Sequence, residues 1–196
     1  MLKLTCQIKK ERSIRVKFGE KTLSKEDIYE GSIIHLERLK VELQNETVSY
    51  REIVRHSPAV AIIATKEDKL LLVRQFRKPA EEALLEIPAG MVEEGEDFLF
   101  SAQRELEEET TYQAEEWKEV AKLYPSPGWS TECLTVYRAK NLHKVAHPRP
   151  QDADEHIEQV WLSLAEAREA LEKGEITDMK TAYAIRELEI EYMKEG

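Results

Sequence analysis

Cysteine is almost missing from this chain. There are two, Cys6 and Cys133, with no C-x-x-C spacing between or around them. That removes a disulfide framework and a paired-thiol metal or redox motif, and it makes a reducing compartment the default expectation. Neither cysteine has a histidine placed beside it by sequence, so both read as small hydrophobic residues rather than nucleophiles. No apolar run approaches the roughly 18 residues that span a bilayer. The opening MLKLTCQIKKERSIRVKFG has no apolar core of the kind a secretory signal carries. A cytoplasmic protein without a membrane partner is expected. An excess of positive charge is also missing. The formal net charge is -10 at pH 7, which argues against a nucleic-acid backbone as partner. Small anionic ligands stay possible, because a bound metal inverts the local field.

What is present suits a soluble globular protein. The chain has 196 residues, 41% of them hydrophobic and 35% charged, enough for one ordinary core and a small appendage. Met1 to Gly19 is basic and mildly alternating, a strand or a loose arm. Ser24 to Asp27 offers a cap for a short turn. Ile33 to Leu43 and Val48 to His56 read as an antiparallel pair turning at Asn45. Ala59 to Ala64 and Lys69 to Phe76 are buried-strand runs, and Glu119–Tyr124, Cys133–Ala139 and Val160–Leu162 are further strands. Pro125 to Gly128 and Val145 to His156 are loops by composition. Ser163 and Glu166 form a capping box, with a helix running to Gly174. A last helix covers Asp178 to Lys194. The expected class is α+β, divided into a β-rich segment 1–55 and a main domain 56–196.

The densest chemistry lies between Gly90 and Tyr112. Glu96 to Thr110 has helical spacing, with Leu99, Ala102 and Leu106 on one stripe. Glu105, Glu108 and Glu109 stand at i, i+3 and i+4 and share a face, whereas Glu107 points away and reads as solvated. Like charges so spaced cost about 0.2–0.5 kcal/mol per pair. Arg104 is placed to pair with Glu108, and a divalent cation reverses the penalty. Mg²⁺ prefers such hard carboxylate oxygens, and it polarises phosphoryl groups and activates water. The plain alternative is a charged, solvated helix face.

The spacing G-x5-E-x7-R-E-U-x-E-E-x-G-U, with U aliphatic, resembles the Nudix box. Gly90, Glu96, Arg104, Glu105, Leu106, Glu108 and Glu109 fall on it; Thr111 stands in place of its second glycine and Tyr112 in place of its last aliphatic. Arg51-Glu52-Ile-Val, Arg74-Gln-Phe-Arg77, Leu85-Glu-Ile-Pro-Ala-Gly90, Ser126-Pro-Gly128, Glu132 and Lys180-Thr-Ala-Tyr-Ala184 resemble the ADP-ribose pyrophosphatase branch. Pro127, sixteen residues past the second glycine position, is the mark of that branch. The likeness runs from about Glu30 to Tyr192.

The resemblance implies a Nudix α/β/α sandwich on a mixed sheet, with a small N-terminal β-sheet domain. It implies that Glu105, Glu109 and the Ala89 carbonyl ligate Mg²⁺, for which Mn²⁺ can substitute. Glu108 holds a metal or a bridging water, and Arg104 orients the glutamates. It implies a homodimer with exchanged N-terminal strands and shared active sites. Arg51 and Glu52 contact the adenine or ribose side, and Arg77 the diphosphate. Met91, Ser126, Pro127, Gly128 and Glu132 line the substrate. His56 is a candidate further basic contact, and Trp129 is either a packing residue or a stacking platform. In the acidic run Gln151-Asp-Ala-Asp-Glu155, Glu155 takes a metal-ligand position and Ala153 falls on the general-base position. Alanine cannot take a proton, so either Asp152, Asp154 or Glu155 substitutes, or hydrolysis is weak. Thr111 lacks the freedom of glycine, so the helix is expected to end without a left-handed residue.

Three functions follow: Mg²⁺-dependent cleavage of ADP-ribose to AMP and ribose 5-phosphate; the same chemistry on another nucleoside diphosphate sugar; or a binding or sensing module with little hydrolysis. Turnover against binding separates the last from the others.

Overall fold

The computed structural model describes residues 19–151 and 156–195. These fall into two compact units. The first takes in 19–58 and 122–134, the second 59–121 with 135–151 and 156–195. Among the described residues no helix is long and apolar enough to cross a membrane.

The first unit is built on a three-stranded antiparallel sheet in the order β1-β2-β3, with β1 Lys21–Glu30, β2 Ile34–Glu42 and β3 Val48–His56. The β2–β3 pair is the one its alternation predicts, in register from Ile34 opposite His56 to Glu42 opposite Val48. Asn45 makes the turn: its side-chain oxygen accepts from the Thr47 amide and hydroxyl, at 3.3 and 2.6 Å. Strand β1 corrects the expectation of a capped turn at Ser24–Asp27, which lies inside the strand. Every residue of β1 is exposed, so no apolar alternation marks it; pairing to β2, with irregularities at Thr22/Ser24 and Asp27/Tyr29, makes the strand. Glu37 on β2 is buried and compensated by Arg55 and by Lys25 at 3.0 Å. The 122–134 segment joins through Val54 on β3, whose N–H donates to Trp129 O at 2.8 Å and whose carbonyl accepts from Thr131 N at 3.0 Å.

The second unit carries a seven-stranded sheet in the order β10-β5-β4-β9-β8, with β6 beside β5 and β7 beside β4. Its strands are β4 Ala59–Lys66, β5 Lys69–Arg77, β6 Glu82–Glu86, β7 Ala89–Met91, β8 Tyr112–Leu123, β9 Leu134–Lys144 and β10 Ile157–Ser163. Strands β4 and β5 turn at Glu67–Asp68, both at positive φ, and pair only next to that turn, at Thr65–Leu70 and Lys66–Lys69. Beyond it β5 pairs with β6 and β4 with β7. Pro88, lacking an N–H, separates β6 from β7, and its carbonyl accepts from Ile62 N at 2.8 Å. This wedge delivers Ala89 and Gly90 to the helix that follows.

That helix, α1 (Phe98–Thr110), is capped by Asp97, whose side chain accepts from the Leu99 and Phe100 amides. Ala102 and Leu106 are fully buried against Val60, Ile62, Ala64, Leu71, Val92 and Tyr137, and Leu99 packs beside them. Ala61 and Ile63 are equally buried. Alternation puts them on the opposite face of β4, so the sheet is covered on both sides. Helix α2 (Leu164–Glu172) starts with the expected Ser163–Glu166 capping box, and Gly174 follows its end at φ 75°. Helix α3 (Met179–Glu195) starts at Asp178, which accepts from Thr181 N at 2.9 Å, and buries Ala184, Ile185 and Leu188. Cys133 is buried.

Candidate active site

Helix α1 assembles its acids around one arginine. Arg104 meets Glu96 through two parallel bonds, Nε to Oε1 and Nη2 to Oε2, both 3.1 Å. Its Nη1 donates at 2.8 Å to Glu105 and at 2.8 Å to Glu108, and its Nη2 reaches the Met91 carbonyl at 3.0 Å. Ser101 adds a hydroxyl to Glu96 at 2.7 Å. Burial works against the Arg104 charge, but the hydrogen bonds to Glu96 and the fields of Glu105 and Glu108 outweigh it and hold the guanidinium protonated far above its ordinary range. Burial likewise raises Glu96, yet Arg104 and Ser101 bring its carboxyl below the usual carboxylate value.

The floor of this cluster is the β7 backbone. Ala89 N–H donates to Glu109 Oε2 at 3.2 Å, and Glu109 is only 2% exposed. The Glu105 carboxylate lies directly on Gly90, where a Cβ would overlap its carboxyl carbon and both oxygens. Glycine is needed here for close approach, not for an unusual backbone angle.

These groups fit a divalent cation by their chemistry: hard carboxylate oxygens on one helix face beside a backbone cradle that a side chain would fill. Among the described residues no three acids already converge as a metal site. Glu105 and Glu108 turn to Arg104, and Glu109 turns to the Ala89 amide.

The other predicted site residues are dispersed over the two units. Arg77 on β5 forms two parallel bonds with Glu86, at 2.7 and 2.9 Å, and Lys180 of α3 meets the same carboxylate. Burial raises the Glu86 carboxyl, but Arg77 and Lys180 bring it below its ordinary value. Met91 is exposed. In the first unit, Arg51 is engaged by Glu20 at 2.5 and 3.0 Å, by Ser49 and by the Tyr50 carbonyl. Glu52 is exposed and stands opposite Arg38 in the sheet. The Ser126 carbonyl turns the chain through Trp129 and Ser130. Pro127, Gly128 and Trp129 are exposed, and Glu132 donates its N–H to Ser130 Oγ at 3.1 Å. His56 bonds the Ser57 carbonyl through its ring. Asp152, Ala153, Asp154 and Glu155 lie outside the described residues.

Two expectations are corrected. Glu107 is not a solvated acid: it is buried, accepts from Gln113 at 2.8 Å and from the Arg149 amide at 3.0 Å, and pairs with the Arg149 guanidinium. Its partners lie outside the helix, so no helical spacing reveals them. And α1 does end in a left-handed residue: Thr111 has φ 63° and ψ 13°, and its N–H caps Glu107 O at 2.7 Å. The tertiary fold imposes the turn on a residue that does not favour it. Sequence reasoning also missed Glu86 as an ionic centre, although it sits inside the Leu85–Gly90 motif.

The NUDIX domain family matches residues 55–183. The chain belongs to that family. It is 44% identical over 172 residues to the ADP-ribose pyrophosphatase of Bacillus subtilis (strain 168), covering 87% of this chain and 93% of the relative. It is 42% identical over 175 residues to the methanol dehydrogenase activator of Bacillus methanolicus, covering 89% and 95%. These relatives place it with the Nudix pyrophosphohydrolases of the ADP-ribose pyrophosphatase-like kind. The crystal structure of an ADP compounds hydrolase superposes with a TM-score of 0.82 over 90% of this chain and 96% of that one, at 23% identity, which bears on fold alone. The expected Nudix sandwich with a small N-terminal antiparallel sheet is thus borne out.

Proposed function

We propose that the chain hydrolyses the diphosphate of ADP-ribose, with water, to AMP and ribose 5-phosphate, using Mg²⁺ or Mn²⁺. The observation that carries this is the Arg104 hub lying over the β7 backbone, beside the 44% identity to an ADP-ribose pyrophosphatase. Glu105, Glu109 and the Ala89 carbonyl would hold the cation, with Glu108 beside them. Once bound, it supplies positive charge against the diphosphate oxygens. Arg104 holds Glu105 and Glu108 together before loading and offsets part of their mutual repulsion. Gly90 keeps the backbone close. The proton of the attacking water passes to an acid, for which Asp154 and Glu155 are the candidates. Arg51, Glu52, Arg77, Met91, Ser126, Pro127, Gly128 and Glu132 are proposed to bind the substrate, arginine being suited to grip phosphate in two places.

A cytoplasmic homodimer, with residues 1–55 as the dimerisation segment and 56–196 as the hydrolase domain, belongs to the same reading. The exposed Ile28, Tyr29, Ile33 and Tyr50 support it as an apolar surface seeking cover. The test is incubation with ADP-ribose in Mg²⁺ and in EDTA, with Glu109→Gln alongside. Metal-dependent AMP, absent from the variant, supports the reading; no AMP from the parent protein defeats it. A second reading, a nucleotide-sugar sensing module with little hydrolysis, is favoured by Ala153 and by the likeness to a relative named as an activator of another enzyme. Binding of ADP-ribose without turnover would select it.

A further inference from the structure

The buried Glu107 sits where the family pattern accepts any residue, on the side of α1 away from Glu105, which stands two positions before it. Its carboxylate receives the backbone N–H of Arg149 at 3.0 Å, and the Arg149 guanidinium lies over the Phe100 ring at 5.5 Å. Two more ties bring the same stretch of chain to the end of α1. Val145 N donates to Thr111 O at 2.9 Å, and the Gln151 amide reaches Glu109 O at 3.4 Å. The last turn of α1, which carries Glu108 and Glu109, is therefore clasped from outside. It needs the clasp, because it closes on Thr111 in a left-handed conformation that glycine would adopt without strain.

We propose that Glu107 is a positioning residue for the reaction. Through the Arg149 backbone it holds segment 145–151 against the last turn of α1 and fixes the placement of Glu108 and Glu109. This rests on the reading of α1 as the catalytic helix. The carboxylate acts here as an acceptor in a fixed place. Its charge is secondary, so an amide oxygen at the same position should serve. The Arg149 side chain is secondary as well, because the backbone N–H makes the tie.

The test uses the full chain and three variants, Glu107→Ala, Glu107→Gln and Arg149→Ala. Three quantities are read: kcat and KM on ADP-ribose, affinity for Mn²⁺ by its spin-resonance signal without substrate, and amide exchange at Arg149. Glu107→Ala should lower kcat and weaken Mn²⁺ binding by about 10- to 100-fold, with KM nearly unchanged. Glu107→Gln and Arg149→Ala should stay within about threefold of the parent in both. A Glu107→Ala protein with parental kcat and Mn²⁺ affinity overturns the proposal. So does a Glu107→Gln protein as impaired as Glu107→Ala, or a loss confined to KM. Should Glu107→Ala not fold, the Arg149 amide decides: slow exchange in the parent and in Glu107→Gln supports the tie, and free-loop exchange in the parent sinks it. A parent that binds Mn²⁺ but cleaves no ADP-ribose counts against the proposed function, while the Mn²⁺ and exchange readings still judge Glu107.

Discussion

At the scale of single residues, Gly90 and Thr111 carry opposite expectations. Gly90→Ala places a methyl where the Glu105 carboxylate lies. The carboxylate is the far end of a flexible side chain and can move aside, so the protein should fold. Displacing Glu105, the proposed cation ligand, should lower kcat by about 10- to 100-fold with little change in melting temperature. A variant with full kcat would show that the contact is dispensable. Thr111→Gly relieves the left-handed strain at the helix end, less the extra chain entropy of glycine. A gain of about 1 kcal/mol is expected in urea unfolding; an unchanged or lower midpoint would show that Thr111 is not strained.

At the scale of elements, the acid-sensitive joint is Glu86 between β5, β6 and α3. Its folded carboxyl titrates below its ordinary 4.5, so its contribution is complete above the unfolded value and is lost as pH falls through the lower folded one. Stability should therefore drop below about pH 4.5, and the drop should be shallower in Glu86→Gln. At neutral pH that variant leaves Arg77 and Lys180 without their shared anion. A loss of about 2–3 kcal/mol is expected, discounted because Arg77 is partly exposed. Equal pH profiles for the two proteins would count against the joint. The helices and the inner strands were legible because buried faces and caps leave periodic marks: Ala102 and Leu106 on α1, Ser163 and Glu166 on α2, Ala59 to Ala64 on β4. Strand β1 was not legible, because an exposed strand paired on one side carries no apolar pattern. The box acids were legible from spacing along one helix. The roles of Glu86 and Glu107 were not, because their partners stand on other elements: Arg77 and Gln113 on neighbouring strands, and Lys180 and Arg149 at 94 and 42 positions away in the chain.

At the scale of the whole molecule, net charge is -10, and four acids gather around Arg104 and the Ala89 amide. A cation that binds the folded chain and not the unfolded one raises the melting temperature by mass action. Mg²⁺ without substrate should do so, by an amount that grows with its concentration, and Glu109→Gln should abolish the rise. A parent protein indifferent to Mg²⁺ would remove the metal from the account.

The β6–β7 wedge has a consequence for how this chain tolerates change. Ala89 and Gly90 belong to a strand of three residues, too short to hold its own place. The residues before it are moored elsewhere: Pro88 to Ile62, Ile87 N to the Thr181 hydroxyl at 2.8 Å, and Glu86 to Lys180. Two of those moorings stand on α3, outside the box. Substitutions at Thr181 or Lys180 will therefore present in an assay as active-site lesions, and a screen for lost activity will find α3 beside the box.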